Sequence, residues 1–317
     1  MKINSEIQVF GLSPDERMVA GDRPFPDHPG RLQGRARHGR LRRIVLVGVW
    51  NDLVMQPSLL AQAMALAAAA AFAPVALGAA AATDNPAGID WVRFGDFSIA
   101  RTETTIAQFR RFADATGTVT AAERAGGGQT YEAGWTRKPG WTWRAPFGVP
   151  AAADEPAVHV TWHEAAAFCR WAGGRLPTDA EWGRAAYVEQ REAPPVPFVR
   201  GRTYPYPQGE TALGAQCLDD CGPAAASRAV ARTLGLPRGL GHARAGSTPA
   251  GVNGLHEMGA NAWEWVEEPR GASGDAERRT RGGSWWYGAA QMRDDHRQSK
   301  PAGTAVVYIG LRCARGG

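Results

Sequence analysis

Two helix-start signals separated by a forced break constrain this chain more than any other feature. Thr161-Trp162-His163-Glu164 and Thr178-Asp179-Ala180-Glu181 are both capping boxes, in which a threonine side chain and a glutamate three residues on satisfy each other's backbone donors. Between them, Gly173-Gly174 ends the first helix, Pro177 blocks its continuation and Thr178 caps the next. The spacing predicts one helix from Thr161 to the glycine pair and a second toward Ala186. Elsewhere the periods are short. Trp91 to Ile99 alternates like a half-buried strand, and Ile106, Phe109 and Phe112 share one side of a helix that Gly117 should stop. Residues 118–156 and 190–250 show no period and read as long ordered loops. Of the twelve tryptophans only Trp50 precedes residue 83, and 39 glycines accompany them, which suggests an irregular fold fixed by large aromatic anchors. The pattern alone is α+β.

The N-terminal part reads differently. Residues 1–54 are rich in Arg, Gly and Pro and read as a non-structural extension, with Met55 an alternative start. Residues 55–83 are mostly Ala and other apolar residues and end on small ones, which fits a secretory signal. The alternative is a membrane tether through residues 58–82, since about 20 apolar residues can span a bilayer. Arg42-Arg43 leaves twin-arginine export open beside the general route. Residues 84–317 form the folded domain. The net charge is +5 over the chain, but its lysines and arginines nearly balance its acids beyond residue 82. That balance, without a basic run among aromatics, argues against a nucleic-acid partner.

Four blocks in order carry a family resemblance. They are Glu103-Thr104-Thr105 through Phe109; Pro156 to Trp162 with Cys169-Arg170-Trp171-Ala172-Gly173-Gly174-Arg175-Leu176-Pro177-Thr178; Asn253-Gly254-Leu255-His256-Glu257-Met258-Gly259-Ala260-Asn261-Ala262-Trp263-Glu264-Trp265; and Arg281-Gly282-Gly283-Ser284-Trp285 with Gly310-Leu311-Arg312-Cys313. Together they resemble the formylglycine-generating, or sulfatase-modifying factor, family. The resemblance implies one domain of C-type-lectin-like topology with little regular secondary structure.

It also implies sites. A structural calcium ion would take the Glu257 and Glu264 carboxylates and the Ala260 and Ala262 carbonyls, hard oxygen ligands that suit it. The alternative for Glu264 is an ion pair with an arginine. The resemblance pairs Cys169 with Cys313, and a local Cys217–Cys221 disulfide is the default for the remaining two cysteines in an exported chain. His159 and His163 are four apart, but Thr161 starts a helix between them, so they do not form a zinc pair on one helical face. Copper-dependent relatives hold Cu(I) on two cysteines after the Arg-Gly-Gly-Ser signature. Here Tyr287 and Met292 occupy those positions, and neither is a thiolate, the ligand this soft ion needs. Copper is therefore not expected. Ser284, Tyr287 and His296 remain as candidate catalytic residues, with Trp263, Trp285, Trp286, Met292 and Arg293 as substrate-binding ones.

The sequence thus points to a periplasmic or secreted tailoring oxidoreductase or maturation factor acting on a protein or peptide-derived metabolite, without copper-thiolate chemistry. The pyoverdine-tailoring branch of the family is similar in lacking the cysteine pair. One alternative is a non-catalytic lectin-like binding module anchored by Trp285-Trp286-Tyr287. Another is a true formylglycine-generating oxidase acting on sulfatases, with Cys217 and Cys221 folded into its site.

Overall fold

Helix α1 (Ile106–Thr116) opens on Thr105, whose side chain accepts from the Gln108 amide while Gln108 returns the bond, and it ends on Gly117 at φ 68°. The computed structural model describes residues 85–131, 134–218, 221, 241–268 and 276–316, all within one unit, Val75–Gly317. The segments read above as extension, signal or tether lie outside the described residues. α3 (Trp162–Trp171) and α4 (Asp179–Tyr187) start at Thr161 and Thr178, each with a complete capping box. None of the described helices is long and apolar enough to cross a membrane.

Two expectations change. The alternating run from Trp91 is a hairpin, β1 (Trp91–Phe94) and β2 (Phe97–Ala100), turning at Gly95 with φ 52°. Phe94 pairs with Phe97 across the turn, and their rings stack at 5.2 Å. A period of two looks the same before and after such a turn, so alternation alone hides it. The loop expected over 118–156 contains a short helix, α2 (Ala121–Arg124), and strands β3 (Gln129–Tyr131) and β4 (Trp135–Arg137). Thr120-Ala121-Ala122-Glu123 is itself a capping box.

Strands β5 (Trp263–Trp265), β6 (Glu277–Arg281), β7 (Gln298–Pro301) and β8 (Ile309–Leu311) form a sheet in the order β7-β6-β5-β8, with β5 parallel to β8. β9 (Ala314–Gly316) extends the first hairpin through β2. β5 is fully buried. Its alternation sends Trp263 and Trp265 into the main core with α1 and α3, while Glu264 points the other way and meets Trp182 of α4. A second core gathers Phe97, Ile99, Trp182 and Tyr187, and a third gathers Cys217, Cys221, Ala260 and Met292. Cys169 of α3 is bonded to Cys313, 144 residues on, and Cys217 to Cys221.

Candidate functional site

The signature residues at the end of β6 are structural first. Arg281 is buried, and its guanidinium donates to the carbonyls of His296 (2.7 Å) and Asp294 (3.3 Å). It also faces Asp179 at 3.4 Å and lies over the Trp182 ring. This side chain therefore fixes the loop that carries Arg293 to Arg297. Gly282 has φ 96°, and a Cβ there would stand 2.8 Å from the Met258 carbonyl oxygen, so only glycine fits. Ser284 is also buried, and its hydroxyl accepts from the Trp286 amide at 3.3 Å.

The candidate catalytic residues divide. Tyr287 and His296 both contact the Trp263 indole, with ring centroids 5.8 Å and 5.7 Å away. Ser284 is not among these contacts; it serves the turn. Tyr287 also meets Tyr308 edge to face at 5.8 Å. Burial, more than any neighbour, raises the Tyr287 phenol above its ordinary pKa, so it is neutral near pH 7 and able to donate a hydrogen bond.

The expected substrate-binding residues differ in exposure. Trp263, Trp285 and Met292 are buried. Met292 packs in the third core with Cys217 and Cys221, whereas Tyr287 packs against the main core. The two positions that the resemblance matches to cysteines thus belong to different clusters here. Trp286, 39% exposed, is the accessible aromatic of the group and leans on Trp285 at 5.2 Å. Arg293 sits at the rim, ion-paired with Asp295 at 3.4 Å.

Sequence reasoning missed Phe147, His242 and Tyr308. Phe147 and His242 flank Trp285 at 5.7 Å and 5.8 Å, and both come from segments without a period. Their only signal was aromatic density among glycines. Tyr308 lay two residues before a recognised block.

The carried-over calcium ligands are engaged otherwise. Both Glu264 oxygens accept from Arg312, Nε at 3.0 Å to each and Nη2 at 2.8 Å to Oε1, and Oε2 also accepts from Trp182 Nε1 at 2.7 Å. Glu257 accepts from the Gly246 and Thr248 amides and the Thr248 hydroxyl at 2.7–3.0 Å. With both carboxylates so engaged, the set does not fit a calcium ion, which needs six to eight oxygen ligands, because the Ala260 and Ala262 carbonyls alone fall far short of that number.

His159 and His163 do not converge. His159 is buried at φ 57°, with Nε2 2.9 Å from the Pro146 carbonyl, while His163 lies on the exposed side of α3. Burial pushes the His159 pKa down to about 4. The unfolded chain takes up that proton near pH 6.5, before the folded one does. The stability this provides is therefore present above pH 6.5 and is lost as pH falls toward 4, by about 3 kcal/mol in all. Urea midpoints at neutral and acid pH should show this slope in the wild type and a shallower one in His159→Asn, whose side chain tolerates positive φ.

The described residues fall wholly inside a match to the sulfatase-modifying factor enzyme 1-like domain, over residues 69–316. The chain belongs to this family. It is 28% identical over 272 residues to a formylglycine-generating enzyme of Thermomonospora curvata, covering 73% of this chain and 86% of that one. It is 30% identical over 264 residues to a hercynine oxygenase of Mycolicibacterium thermoresistibile, covering 74% of this chain and 54% of that one. Among solved structures, PvdO from Pseudomonas aeruginosa aligns at 21% identity with a TM-score of 0.47, over 70% of this chain and 80% of that one. With its short helices and several small sheets, this sulfatase-modifying factor domain has the α+β class expected from the sequence.

Proposed function

We propose that this family member is an exported tailoring oxidoreductase or maturation factor that acts on a protein or peptide-derived metabolite without copper held on a thiolate pair. The observation that carries the reading is the grouping of Tyr287 and His296 on Trp263, where a neutral phenol stands at one of the two positions that the resemblance matches to cysteines and an imidazole contacts the same indole. Tyr287 would orient or polarise an oxygen of the substrate, and His296 would move a proton. Buried disulfides suit an oxidising compartment and so support export. The test is oxygen consumption by the chain from Thr83 onward with the products of neighbouring biosynthetic genes. Tyr287→Phe and His296→Ala should each lower the rate by at least about 100-fold, the usual size of an acid–base contribution. Full activity in both variants would remove these roles.

A second reading, a binding module, is favoured by the burial of Ser284 and the exposure of Trp286. It expects ligand binding without turnover. Trp286→Ala would then weaken binding by about 30-fold or more, as for an aromatic anchor worth about 2 kcal/mol.

A further inference from the structure

We propose that the 257–264 block holds no divalent ion and that Arg312 is the internal cation that holds Glu264. Glu257, Ala260 and Asn261 all have positive φ, at 49°, 63° and 57°, conformations that non-glycine residues hold only when their surroundings enforce them. Here that enforcement comes from the protein itself. The Ala260 amide donates to the Gly282 carbonyl at 2.7 Å, the Asn261 amide to the Gln216 carbonyl at 3.1 Å, and the Ala262 amide to Glu103 at 2.9 Å.

The cation is equally internal. Arg312 is fully buried and spends its donors on Glu264, on the Ala100 carbonyl at 2.9 Å and on the His256 carbonyl at 2.7 Å. One guanidinium thus joins β2, β5, the 256–262 turn and the segment after β8. A divalent ion entering this block would have to displace the guanidinium from Glu264 and would meet its positive charge at close range. Glu257 replaces little of what is lost, because Thr248 takes both acceptor sites of one of its oxygens and Gly246 bonds the other. The inference is independent of whether the domain is a catalyst.

Terbium(III), a luminescent calcium substitute, tests it on the chelator-treated full chain. Trp182, Trp263 and Trp265 lie beside Glu264, so an ion in this block would emit on tryptophan excitation. The proposal expects no emission attributable to the block and no change of Tm with calcium. Sensitised emission or a calcium-dependent Tm in the wild type, lost in both Glu264→Gln and Glu257→Gln, would overturn it. Emission that survives both substitutions arises elsewhere and agrees with the proposal. If Glu264→Gln does not fold, Glu257→Gln with calcium competition against terbium in the wild type decides the matter.

Discussion

Arg312→Met is expected to lower the free energy of unfolding by about 3–5 kcal/mol, because it strands a buried carboxylate without its counter-ion. Glu264 is fully buried, and without Arg312 it keeps the Trp182 indole as a donor. The substitution also takes donors from the Ala100 and His256 carbonyls, so the loss reaches the first hairpin as well as the central sheet. Urea unfolding followed by tryptophan fluorescence would report it. The double variant Arg312→Met with Glu264→Gln should recover part of the loss, since removing both charges removes the desolvation cost of each. A loss below about 1 kcal/mol for the single variant would mean that the pair behaves like a solvated surface contact.

Removing the Cys169–Cys313 bond should be as damaging. It closes a loop of 144 residues. In the chain-entropy account such a loop is worth about 5 kcal/mol, and the Cys217–Cys221 bond about 2 kcal/mol. The Cys169→Ser, Cys313→Ser double variant should therefore melt about 10–20 °C below the wild type, at the usual few degrees per kcal/mol for a domain of this size. The corresponding change at Cys217 and Cys221 should shift the melt much less. Equal shifts would show that native packing, rather than restraint of the unfolded chain, decides the worth of each bond. The sulfurs of Cys169 and Cys313 also join α3 to the end of the central sheet, so part of the loss is expected as a faster unfolding rate.

Local rules made the helices legible. Thr105, Thr161 and Thr178 each begin a helix because their side chains can reach a backbone donor two or three residues on, a fact independent of tertiary structure. The direction of Glu264 relative to its flanking tryptophans was legible for the same reason, since strand alternation is local. Its partner was not, because Arg312 lies 48 residues away and nothing local joins them. The hairpin at Gly95 was concealed by a period that reads the same on both sides of the turn. Within the site, Tyr287 stood out because the resemblance matches it to a cysteine, and His296 because it lies in the polar run after the signature, whereas Phe147 and His242 reach Trp285 from distant irregular segments. The burial of Met292 and Trp263 depended on cores assembled from several such segments, which no window of sequence contains.

The hold of Arg281 on the Asp294 and His296 carbonyls has a consequence for how such a domain can change. Those bonds engage main-chain oxygens, so they constrain the path of the loop and are indifferent to which side chains it displays. Its anchors, Arg281 and Asp179, stand outside the segment they shape. The backbone from Asp294 to His296 is therefore held by a mount outside it, so side chains there can be exchanged while its course is kept, whereas Ala289 and Met292 just before it are tied to the third core by their own side chains.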